Sequence, residues 1–490
     1  MPEPIRIHPE NPRLFEFRGK PLVLLTATEH YGAVMNRPFR YERYLADAAA
    51  KGMTLTRLFV LFRELQSHCN PYSTCKPESP DYIAPFERTG PGRAQDGEPK
   101  FDLDRPNPEF FQRLHGLMGR ASELGIIVEL VLLSNTYEDR IWALNPLNSA
   151  NNVNGLKPIS WPTYMTLQHP ELVARQLEHV RRIVREVNAY DNLFFEICNE
   201  PGGRHPGEGN PGIDEVNEWQ RAIAAEIRQT EASLPNQHLI AGQEAFQWHP
   251  FVQMSTLSFR DFPIDIVNIH PLPGTTLDGV EYDMGQFMSK QLKLRAVRDY
   301  CLAAARESKP LNLDEDNVAS QYKDTDGWTI HRKRAWMALM CGAHYDYIDF
   351  SIINYCETGT EESQRCIRTW FRHLSRFIHS LDLAAAHPLP GVVTAAPEHT
   401  VEAAFGVAGS DVSVYLADER ELEVPGAGEP IRGALTLSLP EGQHSVSCMS
   451  PEAGQWSPDI TITGGSATTV ALPEFRHDIL VRVQASDAGS

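Results

Sequence analysis

The feature that most constrains this chain is a repeated alternation of short apolar runs with stretches of helical spacing between residues 21 and 384. Runs at 21–28, 53–62, 126–134, 193–199, 238–242, 265–270, 311–315 and 347–354 read as strands. Between them, 110–124, 170–188, 213–233, 284–308, 328–344 and 362–381 place apolar residues on one helical face. Strand and helix in strict alternation build a parallel sheet, because each crossover needs a helix to return the chain. Residues 55–62 and 126–133 are apolar almost without interruption, as strands covered on both faces must be. Eight such units predict an α/β fold, a (β/α)8 barrel spanning 21–384. A β-hairpin over 1–20 precedes it. Residues 387–486 change texture to short strands between Gly, Pro and acidic turns, predicting an antiparallel β-sandwich.

With 64 acidic against 45 basic residues, the net charge is −19. Binding to nucleic acid or an anionic membrane needs a clustered positive field, so neither partner is expected. No run approaches the roughly 18 apolar residues that span a bilayer. MPEPIRIHPENPRLF lacks a basic segment followed by an apolar one. This predicts a cytoplasmic protein, or an exported one if a signal has been removed. The eight cysteines are scattered; only Cys69 and Cys75 are close, and no second pair at zinc spacing accompanies them. They are expected to be thiols, with a Cys69–Cys75 disulfide the alternative in an exported protein. Oligomeric state is not fixed by any of this.

Active sites of barrels of this kind lie at the carboxyl ends of the strands. There the fourth run ends in Asn199-Glu200-Pro201 and the seventh in Asp314-Glu315-Asp316. Cleaving a glycosidic bond takes two carboxyl groups, one to protonate the leaving oxygen and one to attack the anomeric carbon or activate water. Glu200 and Glu315 are the candidates. Glu315 is expected inside the barrel if Leu311 and Leu313 face inward. Glu196 shares a face with Glu200 and should lie deeper, where a buried carboxylate needs a partner. Arg57, the single Arg of the second run, would serve it or Glu315. Glu29 and His30 end the first run and either bond sugar hydroxyls or cap the strand locally. The long connections after runs two and three, 63–109 and 135–169, are expected to wall the site. Trp142, Trp161 and Trp248 are candidate stacking platforms for a sugar, or core residues.

These residues together resemble glycoside hydrolase clan A, and within it family 5 and its cellulase-like relatives, over residues 20–380. The resemblance implies retention of configuration, with Glu200 as acid/base and Glu315 as nucleophile. It further implies that Asn199 binds the sugar 2-hydroxyl, that Arg57 holds Glu315 ionised, and that His270 lines the same subsite. The chain departs from the family pattern in three places. Ser134-Asn135 stands at the end of run three, His270 is followed by Pro271-Leu272, and run eight ends Ile353-Asn354-Tyr355. Asn135 and Tyr355 therefore join the expected substrate-binding set.

The expected activity is hydrolysis of β-linked glycosides or oligosaccharides by double displacement, with no metal or organic cofactor. Arg57 is expected to lower the pKa of Glu315, while charge repulsion and burial raise that of Glu200. Alternatives are a transglycosylase using the same two carboxylates, or a non-catalytic glycan-binding barrel. A metal-dependent hydrolase is disfavoured because the strand ends offer only His30 and His270.

Overall fold

The computed structural model describes residues 3–30, 32–61, 70 and 81–486. Tyr31, Phe62, Cys69 and Cys75 lie outside the described residues. Eight parallel strands form the barrel: β1 (Leu25–Thr28), β2 (Leu55–Phe59), β3 (Ile127–Ser134), β4 (Leu193–Asn199), β5 (Ile240–Gly242), β6 (Ile266–Ile269), β7 (Leu311–Asp316) and β8 (His344–Ile348). They pair in the order β1-β8-β7-β6-β5-β4-β3-β2. β1 and β2 meet to close the ring. Thr54 N donates to Leu25 O (3.0 Å), Leu25 N to Thr54 Oγ1 (2.9 Å) and Arg57 N to Thr28 Oγ1 (3.3 Å).

The helices end where their sequences say they should. In Pro108–Leu124, Asn107 accepts from Glu109 N, Pro108 opens the first turn, and Gly125 closes it at φ 71°. Helix Thr325–Met340 starts three residues earlier than expected, because Asp324 accepts from Gly327 N at 3.0 Å. Gly342 at φ 81° then turns the chain. His344 therefore begins β8 instead of ending the helix, and the eighth strand lies at 344–348, not 347–354. Helix Leu294–Ala304 is likewise shorter than the expected 284–308, because Met284 O and Leu292 O are both bound by Arg334. The expected helix over 362–381 is two, Glu361–Arg365 and Ile367–Ile378. Tyr41–Ala50, between β1 and β2, is a helix that the sequence reading did not anticipate.

Three layers fill the barrel. At the amino ends of the strands Leu24, Leu55, Ile127, Phe194, Ala241 and Ile266 pack with Ile5, Phe15 and Phe17. The last two come from, and Ile5 immediately precedes, a three-stranded sheet (Arg6–Ile7, Phe15–Phe17, Lys20–Leu22) that plugs this end. The middle is polar: Arg57, Glu129, Glu196, Asn268, Asn312, Asp314 and Asp346 are all buried and interact with one another. The site lies above, at the carboxyl ends.

Two antiparallel sheets make up the C-terminal region. Strand alternation gives the larger sheet two faces. Val414, Leu416, Val481 and Val483 pack on Leu435, Leu437 and Val470 of the smaller one. On the opposite face Tyr415 stacks on Trp336 of the barrel helix Thr325–Met340 (5.5 Å, 14° between planes). Arg332, one turn away, pairs with Asp478 at 2.9 Å. That helix is thus enclosed between barrel and sandwich, which is why nearly all of it is buried.

Candidate active site

Arg57 is the organising charge. Its Nε and Nη2 donate to the two oxygens of Glu196 (2.8 and 2.7 Å), a planar fork on a planar carboxylate. Nη2 also reaches Asn199 Oδ1 (2.9 Å) and Asp314 (3.2 Å), and Nη1 donates to Glu315. One guanidinium therefore fixes side chains from β4 and β7 at once. His270, past the end of β6, holds Glu200 through Nδ1 at 3.0 Å. Its Nε2 faces Asp314 (3.7 Å) and Glu315 (4.0 Å). Glu200, His270 and Glu315 each bring a donor atom within 4.8 Å of the others. Both glutamates are almost wholly buried.

Glu315 reaches this point differently from the expectation. Asn312 and Asp314 face the barrel axis, where they meet Glu129 and Arg57. Leu311 and Leu313 belong to the apolar cluster shared with the helices. Strict alternation would send Glu315 outward with them. Instead the β7–β8 register shifts between Leu313 and Asp316, and Glu315 takes φ 53°, which turns its side chain over the barrel mouth.

The ionisation pattern also corrects the expectation. Burial pushes Glu315 up to about 7, against the pull of His270 and Arg57. For Glu200, burial acts upward, but the hydrogen bond and charge of His270, then Tyr137 and Arg57, outweigh it and hold the carboxyl below its usual range. Burial opposes the charge on His270 as well. The surrounding Glu315, Asp314 and Glu200 overcome it and raise the imidazole well above its ordinary value. In the free protein Glu200 is thus the ionised partner of an imidazolium, and Glu315 is the group that titrates near neutrality. Arg57 contacts Glu315 as expected, but its charge is shared with Glu196 and Asp314.

Glu129, Glu196 and Asp314 form a second convergence of carboxylate oxygens within 4.8 Å. Spacing of that kind would accept a hard cation, but Arg57 already bridges two of the three, and Asn268 donates to Glu129 at 2.6 Å. Burial and the charge of Asp314 push both Glu129 and Asp346 well up, so the neutral forms occupy this layer.

The remaining candidates separate clearly. Asn199 lies in the site, donating to Tyr137 Oη (2.7 Å) and Ser134 Oγ (3.2 Å). Asn135 does not present its amide to a ligand: Nδ2 donates to Glu200 O (3.0 Å) and Oδ1 accepts from Tyr137 N (2.9 Å). Glu29 is a local cap, accepting from Gly32 N and Ala33 N at 2.6 and 3.0 Å. His30 stacks on Phe350 and bonds Asn70. Trp142 is buried against Tyr164 (5.2 Å) and is a core residue, not a platform. Trp248 is half-buried beside Tyr137 and His205. Tyr355, at 74% exposure, stands free on the surface after β8.

Sequence reading missed Tyr137 and a five-stranded sheet on the carboxyl face. Gly202–Gly203, Phe246–Trp248, Phe251–Met254, Thr275–Leu277 and Val280–Tyr282 pair in that order across the ends of β4 to β6. Its strands are too short to show a period. The available signal was Gly202-Gly203: a Cβ on Gly202 would fall 1.8 Å from Trp248 Nε1, so only glycine lets the indole lie there.

Residues 35–270 match the sequence model of a known family, Cellulase (glycosyl hydrolase family 5). No curated protein matches the chain. Among solved structures it is similar to a glycoside hydrolase at 12% identity, covering 99% of this chain and 98% of that one with a TM-score of 0.63. It is also similar to a family 5 glycoside hydrolase from Bacteroides vulgatus ATCC 8482 at 13% identity, covering 99% and 95% with a TM-score of 0.61. At such identities the structural likeness speaks for the fold, barrel and β domain together.

Proposed function

We propose, from the premise that this chain is a family 5-like, cellulase-like glycosidase, that it cleaves β-linked glycosides or oligosaccharides with retention, using Glu315 as nucleophile and Glu200 as acid/base. The observation that carries this reading is the approach of the two carboxyl groups, with oxygens within 4.8 Å. Retaining enzymes hold their carboxyls about 5–5.5 Å apart, whereas inverting ones leave about 6.5–9.5 Å for an intervening water.

In the first step ionised Glu315 attacks the anomeric carbon while neutral Glu200 protonates the departing oxygen. The acid form of Glu200 is one proton transfer from the free state. The Nδ1 proton of His270 lies on the 3.0 Å hydrogen bond to Glu200 Oε1. A bound sugar that expels water favours the neutral pair over the ion pair, because desolvation disfavours both charges. Arg57 stabilises the Glu315 carboxylate as nucleophile and as leaving group. Once the glycosyl ester forms, the charge on Glu315 is gone, and Glu200 returns to its low-pKa form. As a carboxylate it takes a proton from the water that releases the sugar. On this reading Asn199, its Oδ1 fixed by Arg57, exchanges the longer Nδ2 bond to Ser134 Oγ (3.2 Å) for one to the sugar hydroxyl next to the reacting carbon.

The test is a screen of aryl β-glycosides (gluco, galacto, manno, xylo, arabino) with wild type and Glu315→Gly. The reading expects turnover by the wild type, none by the variant, and rescue by azide to a glycosyl azide of inverted configuration. Full activity in the variant would end it.

A further inference from the structure

β3 does not stop being useful at its last residue. Beyond Ser134 the chain is bound to the end of β4 twice and closed on itself once. Asn135 N donates to Asn199 O (3.0 Å), Asn135 Nδ2 donates to Glu200 O (3.0 Å), and Asn135 Oδ1 accepts from Tyr137 N (2.9 Å). These bonds hold Tyr137 at φ 56°, in the left-handed region that a bulky side chain adopts only when its surroundings impose it. So placed, the ring meets Trp248 edge-on (6.4 Å, 89°) and the hydroxyl accepts from Asn199 Nδ2 at 2.7 Å. Asn199 thereby has both ends held, by Arg57 and by Tyr137. With Asn199 as donor, the phenol proton is directed elsewhere, and Glu200 is within its hydrogen-bonding reach.

We propose that Tyr137 is a positioning residue for the acid/base, its hydroxyl joining Asn199 to the Glu200 carboxylate so that the two side chains act as one unit. The inference rests on the assignment of Glu200 above and adds to it a residue from the connection after β3. An O–H···O⁻ bond favours the ionised form of Glu200, making it a stronger acid in the first step and preserving the base form for the second. No bond is made or broken by Tyr137 itself.

Tyr137→Phe removes one oxygen and keeps the ring against Trp248, so the fold is retained and thermal unfolding reports it. Without the phenol Glu200 becomes a weaker acid, and the alkaline limb of kcat/KM moves upward by about one pH unit. Turnover falls about tenfold for substrates with poor leaving groups, which need the proton, and little for activated aryl glycosides, which do not. A folding defect alone would lower both substrate classes equally and leave the pH profile in place. Superimposable pH profiles and equal leaving-group dependence in wild type and Tyr137→Phe would overturn the Tyr137 assignment while Glu200 stands. Wild-type protein that turns over no glycoside, or Glu200→Gln with undiminished activity on poor leaving groups, would remove the reading of the site beneath it.

Discussion

Glu200, one residue past β4, and Glu315, next to last in β7, share a left-handed backbone conformation, at φ 46° and 53°. For Glu315 this turns the carboxyl from the outward direction that strand pleating would give it, and both carboxyls meet over the barrel mouth. Holding a non-glycine residue there costs on the order of 1–3 kcal/mol. The polar layer beneath, with Arg57 gripping β4 and β7 residues, is what imposes it.

That strain is measurable by comparing Ala with Gly at each position. Both substitutions remove the carboxyl, but only Ala keeps a Cβ at positive φ. Glu200→Gly and Glu315→Gly are expected to be more stable than the corresponding Ala variants by about 1 kcal/mol in denaturant unfolding. On a glycoside with a poor leaving group all four variants are expected to lose at least about 10³-fold in kcat/KM. Ala variants as stable as the Gly ones would show that the backbone carries no strain there.

The pH dependence follows from the ionisation pattern. Glu315 must be ionised to attack, and its pKa is about 7 in the free protein. Activity should therefore rise with pH through about 7, far above the ordinary carboxylate range. It falls on the alkaline side as the proton shared by His270 and Glu200, raised on His270 well above its usual value, is lost. A kcat/KM profile already flat at pH 5 would contradict this.

Arg57 is expected to be indispensable for folding as well as turnover. Arg57→Met leaves Glu196, Asp314 and Glu315 together in a buried layer, and breaking such a group by removing one partner costs about 3–5 kcal/mol. Chemical denaturation should show that loss. The cost should shrink at acid pH, where the carboxyls are neutral.

Arg334 ties the strand ends together. Its Nε binds Asp316 at 2.6 Å, one residue past Glu315, and Nη2 donates to Pro271 O at 3.1 Å, one residue past His270. Arg334→Lys keeps the charge but cannot hold both segments. A displacement of about 1 Å in the reacting groups lowers turnover about 10²-fold. The expected result is a fall in kcat at nearly constant KM, read by steady-state kinetics on an aryl glycoside.

The sandwich contacts the same helix two residues away. Asp478→Ala would remove the buried partner of Arg332 and leave only the longer 3.7 Å contact with the exposed Glu452, at a cost of about 3 kcal/mol in unfolding free energy. Specific activity of the folded fraction is expected to stay unchanged, since Arg332 touches no residue of the site.

The barrel was legible because most of its strands are continuous apolar runs between amphipathic helices. β8 was not. His344-Tyr-Asp-Tyr-Ile348 follows a helix after only a glycine turn, and its Asp346 belongs to the polar layer, so hydrophobicity placed the strand three residues late. The two glutamates were found by their positions at strand ends. The route of Glu315 into the site was not, because a register shift and a positive φ leave no mark in the sequence. Asn135 and Trp142 were drawn toward the substrate by residue type alone. Their partners, Glu200 O and Tyr164, are 65 and 22 positions away in the chain and could not be read from composition. The ionisation order failed for the same reason: it depends on His270 being nearer to Glu200 than to Glu315, a tertiary fact.

Incubation with a 2-deoxy-2-fluoro β-glycoside bearing a good leaving group, followed by peptide mass spectrometry, asks most directly whether the two acids flank one sugar. A fluoroglycosyl ester on the peptide containing Glu315, accumulating in wild type because the good leaving group keeps its formation faster than its hydrolysis, and hydrolysed still more slowly after Glu200→Ala, is the predicted result. Label on any other residue, or turnover of an unmodified glycoside with inversion and no trapped ester, contradicts it.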